Sequence, residues 1–325
     1  MKFSEIVETL ALELERVEEA IQENFRSNVV LIPDVSGYLS RAGGKRVRPM
    51  LLLLSAKACG YEGPRAIIHS CVVEYIHTAT LLHDDVVDAA EVRRGSLSAN
   101  AKWGNEASVL VGDFLFAKSF SMMSEDQDAR IMKAMAKACT LLSEGEVLEL
   151  VNVCNIRMSE EEYLEIISRK TAALIAASCK MGALLGDSPP PVVDAIYQFG
   201  SQVGFAFQLV DDALDYMGDE VRTGKVVGKD LEEGKVTLPL LRACEQATPA
   251  EFEKLNQTLS CSNSFGSEDF EVVLELIQKY EGIPYAIDRA RGYVEAAKAV
   301  LSILPDSVHV DSLRALADYI VERDF

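Results

Sequence analysis

Two stretches decide how this chain is read: HTATLLHDDVVD at residues 77–88 and FAFQLVDDALD at residues 205–215. Each follows a run of apolar residues and closes on a pair of aspartates with a third just beyond. Residues four apart share one face of a helix, so Asp84 stacks with Asp88 and Asp211 with Asp215. Three carboxylates within one turn repel one another. At the end of an apolar helix they are tolerable beside a cation or in a solvent-filled mouth. Hard oxygen ligands from two helices suit Mg²⁺, which takes a few carboxylates, several waters and phosphate oxygens. A solvated helix end would explain one such cluster. Its repetition behind the same kind of apolar helix argues for a cation. An EF-hand is excluded, because neither stretch has the twelve-residue loop with its central glycine and final glutamate.

Outward from these stretches the pattern stays helical. Prolines sit at punctuation points, and none occurs between Arg65 and Ser188. Apolar residues recur at three and four, as in Tyr163, Ile166, Ile167, Leu174 and Ile175, and alternation with β-branched residues is nearly absent. Pro49 fits the first turn of a helix near Arg48, and Gly60 its stop. Ser159 with Glu162 is a capping-box pattern opening the helix that contains Lys170. The expectation is an all-α chain of about a dozen helices, one domain over 1–325 with a central cavity. Residues 66–87 and 194–216 are apolar on most sides and should be buried. The 325 residues, 49% hydrophobic and 26% charged, exclude disorder.

The net charge of −19 argues against nucleic acid, which needs a basic face. Basic residues nevertheless cluster beside glycines. Gly43-Gly44-Lys45-Arg46-Val47-Arg48-Pro49 is one cluster, and Arg93-Arg94 follows the first acidic motif. Gly224-Lys225, Gly228-Lys229-Asp230 and Gly234-Lys235 follow the second. Glycine admits close backbone approach, and arginine forks onto phosphate oxygens. Carboxylates, a divalent cation and local basic residues together describe a diphosphate site. GKDLEEGKV is not a P-loop, since its glycine spacing is wrong and Val236 stands where Ser or Thr should be. His77 and His83 are six apart and do not form a metal pair. His77 is expected to face ligand and His83 to pack behind it. No Ser-His-Asp constellation can be assembled. The seven cysteines show no paired spacing and read as buried reduced thiols. No apolar run is long enough for a membrane span, and the N-terminus does not read as a signal peptide.

With GGKRVRP, LLHDDVVD, RRG, WGNEASVLVGDFLF, Lys170-Thr171, FQLVDDALD and GKDLEEGKVTLP in this order, the chain resembles the trans-polyprenyl diphosphate synthases over nearly its whole length. The resemblance implies an all-helical fold with the site in a deep cavity between the two aspartate-rich helices, as a cytoplasmic homodimer. It implies that Asp84, Asp85, Asp88, Asp211, Asp212 and Asp215 hold up to three Mg²⁺ on an allylic diphosphate, with Asp84, Asp88 and Asp211 as direct ligands. Arg93, Lys170, Lys225 and Lys235 would contact that diphosphate. Lys45, Arg48, His77 and Arg94 would bind isopentenyl diphosphate, with Arg323 as a C-terminal basic residue nearby. Thr171 and Gln208 would line the reacting carbons. The implied activity is condensation of isopentenyl diphosphate with an allylic primer, farnesyl diphosphate, to a medium or long all-trans chain of octaprenyl length for quinone side chains. A geranylgeranyl-length synthase and a non-catalytic partner subunit are the alternatives. Partner subunits lose aspartates or basic segments, and both sets are intact here. A long product is lipid-soluble, which leaves peripheral membrane contact open.

Helix geometry bears on product length. One turn rises about 5.4 Å, close to one isoprene unit. The residues one turn below Asp84 are Ala79 and Thr80, both small. In the family an aromatic residue there stops growth early, so this pair points to longer products and Ala79→Phe is expected to shorten them. Phe116, Phe120 and Met123 are candidates for a deeper floor, though plain core packing is the better reading of such a stripe.

Overall fold

A computed structural model describes residues 1–41, 44–93, 95–217, 228–260 and 266–322. Gly43, Gly224, Arg94, Lys225 and Arg323, named above, lie outside the described residues. The chain is 79% helical. In chain order the helices are α1 (Phe3–Thr9), α2 (Ala11–Asn24), α3 (Leu31–Arg41), α4 (Val47–Ala58), α5 (Arg65–Val87), α6 (Ala99–Trp103), α7 (Asn105–Asp126), α8 (Ala129–Val151) and α9 (Glu160–Ile167). A π turn at Ser168–Ala172 follows, then α10 (Ala173–Leu185), α11 (Pro190–Asp215), α12 (Lys229–Glu232), α13 (Leu238–Gln246), α14 (Pro249–Thr258), α15 (Ser267–Lys279), α16 (Gly282–Val300) and α17 (Val308–Glu322). A two-strand antiparallel hairpin, β1 (Val92–Arg93) and β2 (Ser96–Leu97), interrupts the helices after α5. Two compact units emerge. One comprises residues 1–139, 174–200 and 300–316, the other residues 140–173, 201–299 and 317–325.

In the first unit α5 is the central element and packs on α2, α4 and α7. Its Tyr75, Ile76, Ala79 and Leu82 are fully buried, as are Leu51, Leu52 and Leu54 of α4. The start of α5 is fastened to the end of α7. Arg65 Nε donates to Asp126 Oδ2 at 2.8 Å, and His69 Nε2 lies 2.6 Å from the same oxygen. Hydrogen bonding from Arg65 is the main reason the Asp126 carboxyl falls to about 2. At the other end α5 and α7 come close through Gly112. A Cβ there would stand 2.3 Å from His83 Nε2. His83 packs against α7 as expected, with Nε2 3.2 Å from the Val109 carbonyl oxygen and its ring stacked on Phe116.

In the second unit the capping box forms as read: Ser159 N–H donates to Glu162 Oε2 at 2.8 Å, and Glu162 N–H to Ser159 Oγ at 3.2 Å. The helix expected through Lys170 forms, with one π segment in its course. The π turn at Ser168–Ala172 carries Lys170 and Thr171. The backbone around it is pressed from two sides. A Cβ on Gly145 of α8 would lie 2.6 Å from Lys170 N, and one on Gly204 of α11 would lie 2.5 Å from Ala172 Cα. π bulges recur at functional sites. Overpacking predicts that Gly204→Ala lowers stability by about 1–3 kcal/mol. A urea unfolding midpoint equal to that of the parent protein would contradict this packing.

The reading of seven reduced thiols needs one correction. Cys59, Cys71, Cys139, Cys179 and Cys244 are free, but Cys154 is disulfide-bonded. Cys154 stands in the loop after α8 at φ 58, where the fold rather than sequence spacing decides what the sulfur meets. Among the described residues no helix is long and apolar enough to cross a membrane.

Candidate active site

The first acidic motif closes α5. Asp84 and Asp88 are half-buried and share a face with half-buried His77 and Thr80, whereas Ala79 is fully buried. A carboxylate at a helix C-terminus meets the negative end of the macrodipole, so a cation is the natural complement of this cluster. Asp85 is different. It is completely buried, and Arg93 Nε of the hairpin donates to its Oδ1 at 2.6 Å. The hairpin thus folds back to hold Arg93 against the motif. Its turn includes Gly95 at φ 74, where glycine carries no Cβ penalty.

The basic segment before α4 is fixed by Arg46. At φ 50, Arg46 turns inward, donating to Glu18 of α2 and, at 2.9 Å, to Glu74 Oε2 of α5. Glu74 lies three residues, nearly one turn, before His77. This anchor ties the backbone between Lys45 and Arg48 to α5 at Glu74. Lys45 is exposed and Arg48 half-buried.

The second unit gathers Lys170, Gln208, Asp212 and Lys235, together with Glu149 and Asp230, around one cavity of about 90 Å³. Lys170 Nζ donates to Glu146 Oε2 at 2.8 Å and to Glu149 Oε2 at 2.6 Å. Lys235 Nζ donates to Glu233 Oε2 at 2.6 Å. Thr171 Oγ1 donates to Gln208 Oε1 at 2.6 Å, and Gln208 Nε2 to Asp212 Oδ1 at 2.6 Å. The Tyr163 hydroxyl donates to Asp212 Oδ2. Asp215 Oδ2 accepts from the Asp230 backbone N–H at 3.1 Å and so holds the start of α12 beside the motif. Asp211 is half-buried, but Asp212 is only 4% exposed.

In both motifs, then, the middle aspartate is buried and committed to protein partners, while the outer two are half-buried. Burial first, and then Asp211 and Glu149, push the Asp212 carboxyl up to about 7 against its hydrogen bonds. Burial and the nearby Asp212 and Asp215 push Asp230 upward as well. Like charges crowded in this way are what a divalent cation relieves. Among the described residues no group of three or more acidic, histidine or cysteine side chains forms a ready-made metal cage.

Tyr163, Glu146, Glu149 and Asp230 escaped the sequence reading as site residues. Tyr163 counted as an apolar helical position, and nothing local marks where its hydroxyl goes. Asp230 stood within the quoted Gly228-Lys229-Asp230 and could have been found there.

An all-helical chain with two acid-ended helices and basic residues beside each is built to handle a diphosphate ester. Residues 29–277 match the polyprenyl synthetase family, and the chain belongs to that family. It is 40% identical to octaprenyl diphosphate synthase of Escherichia coli (strain K12) over 324 residues, covering 100% of both chains. Among solved structures it is similar to a polyprenyl synthase from Caulobacter crescentus CB15 complexed with calcium and isoprenyl diphosphate. There the TM-score is 0.95 and the identity 38%, over 99% of this chain and 98% of that one. A decaprenyl diphosphate synthase from Rhodobacter capsulatus gives a TM-score of 0.93 at 40% identity over 98% of each chain.

Proposed function

We propose that this trans-prenyltransferase condenses isopentenyl diphosphate with farnesyl diphosphate and repeats the addition to an all-trans product of octaprenyl length, for quinone side chains. The observation that carries this reading is the pair of apolar helices that end in half-buried aspartates, each with basic side chains close by. The E. coli relative, matched end to end, supports the product class. The whole chain, 1–325, acts as one catalytic domain, in a cytoplasmic homodimer that meets membranes only peripherally.

Each residue has a part. Asp84, Asp88 and Asp211, with Asp215 nearby, would hold Mg²⁺, up to three ions with the diphosphate. When bound, the metal would supply neutralisation of negative charge on the departing diphosphate. Lys45, Arg48, His77 and Arg94 bind the diphosphate of isopentenyl diphosphate. Arg93, Lys170, Lys225 and Lys235 bind the allylic diphosphate and carry part of the charge that develops on it. The allylic C1–O bond breaks, and its electron pair leaves with the diphosphate. The positive charge on the allylic carbons rests against Thr171 Oγ1 and Gln208 Oε1. The π electrons of isopentenyl diphosphate form the new bond from its C4 to allylic C1. A proton then leaves C2 for an oxygen of the released diphosphate. Apolar walls exclude the water that would quench the cation.

Diphosphate release from the two substrates tests the reading. Release should require both substrates and Mg²⁺, stop with a chelator and resume when Mg²⁺ is restored. Folded protein that binds Mg²⁺ and diphosphate yet releases none would favour a partner subunit.

A further inference from the structure

The six motif aspartates are not equivalent, and Asp212 has the most fully assigned environment. Its Oδ2 accepts from the Tyr163 hydroxyl and its Oδ1 from Gln208 Nε2. It is 4% exposed, and Tyr163 3%. In this arrangement both of its oxygens accept, and that fixes the direction of the hydrogen bonds that run away from it. The Gln208 amide must turn its NH₂ toward Asp212. Its Oε1 must therefore face Thr171, 2.6 Å away, and accept the hydroxyl proton. That proton is then committed inward, which leaves Thr171 Oγ1 only lone pairs for any other partner.

We propose that Asp212 and Tyr163 are positioning residues rather than metal ligands: they lock the Gln208 amide so that Thr171 and Gln208 present oxygen lone pairs to the reacting carbons. The inference rests on the prenyltransferase reading above, in which positive charge develops beside Thr171. A hydroxyl free to rotate would spend part of its time pointing its proton at that charge. The order of donors, set by a buried carboxylate and a buried phenol, prevents this without reorganisation during the reaction. The π turn that holds Thr171, clamped by Gly145 and Gly204, fixes the other end of the relay.

Tyr163→Phe and Asp212→Asn test this, with kcat, KM for each diphosphate and the half-saturating Mg²⁺ concentration measured for each. An asparagine would present either an NH₂ to Gln208 or an NH₂ to Tyr163, and the amide lock is lost. Both variants are expected to lower kcat by about 10- to 100-fold, as loss of an outer orienting partner does. KM values and half-saturating Mg²⁺ should stay within about twofold of the parent if neither residue touches metal or diphosphate. Thr171→Ser should keep most of the activity and Thr171→Val should not. Adding Tyr163→Phe to Thr171→Val should then change kcat little further, because the two act along one relay. A rise in half-saturating Mg²⁺ for Asp212→Asn, with activity recovered at high Mg²⁺, would make Asp212 a metal ligand and overturn the proposal. Parent-like kcat in Tyr163→Phe would do the same.

Calorimetric binding of Mg²⁺ with inorganic pyrophosphate separates this from failure of the prenyltransferase reading. If the parent protein forms no product, that reading fails. In that case parent-like binding by Asp212→Asn still supports its assignment as a non-ligand, and weakened binding refutes it. Should either single variant fail to fold, the Thr171→Ser and Thr171→Val pair decides: equal activity of the two would refute a role for the oriented hydroxyl.

Discussion

Asp84→Ala is expected to lower kcat/KM by about 10²–10³-fold, the loss typical of removing one preorganised electrostatic group. It should also raise the Mg²⁺ needed for half-maximal rate. The same change is expected to cost less stability than Asp85→Ala. Asp84 is half-buried at the C-terminal end of α5, where a carboxylate opposes the helix dipole and repels Asp88. Asp85→Ala should behave in the opposite way. Asp85 is completely buried against Arg93, so its loss leaves a guanidinium without its acceptor and should reduce stability by about 1–3 kcal/mol. Calorimetry and Mg²⁺-dependent rates on the two variants check both halves. Equal stability losses in the two would contradict the assignment of different roles to neighbouring aspartates.

Thr80→Phe is expected to shorten the product from octaprenyl length to geranylgeranyl length or below. Thr80 is half-buried on the α5 face that carries His77 and Asp84, one turn below the motif, and its hydroxyl donates back to the His77 carbonyl oxygen at 2.8 Å. A ring there would stand where a chain growing down that face must pass. Ala79, its neighbour, is fully buried. Ala79→Phe should therefore act first on packing, costing about 1–3 kcal/mol, and on product length only through the neighbours it displaces. Chromatographic sizing of both variants checks this. A Thr80→Phe product distribution identical to that of the parent would place the chain-length floor elsewhere, with Phe116 and Phe120 the next residues to change.

The helical class was legible in the spacing of apolar residues and in the proline-free run from Arg65 to Ser188. The α4 start near Pro49, the Gly60 stop and the Ser159 capping box were legible because local chemistry decides them. The π turn was not. Around it Gly145 and Gly204, far away in sequence, let α8 and α11 approach the backbone of Lys170 and Ala172, and packing of that range leaves no local signal. The β1–β2 hairpin escaped because two-residue strands leave no alternation to read. At the site, helix spacing paired Asp84 with Asp88 and Asp211 with Asp215, and the resemblance singled out Asp84, Asp88 and Asp211 as direct ligands, but nothing in the sequence shows what the middle aspartates do. Burial separates them, because what decides it is the long-range meeting of Asp85 with Arg93 and of Asp212 with Tyr163. Arg46, in the middle of a run of three basic residues, shows the same limit. Its inward turn to Glu18 and Glu74 leaves Lys45 and Arg48 as the ligand-binding candidates.

The central claim is tested most directly by incubating the purified protein with Mg²⁺, isopentenyl diphosphate and farnesyl diphosphate and sizing the products. The account predicts a ladder of all-trans chains ending at one dominant product of octaprenyl length, abolished by chelation. A product that stops at geranylgeranyl length would contradict the reading of Thr80, and no product from any allylic primer would contradict the assignment of catalysis to this chain alone.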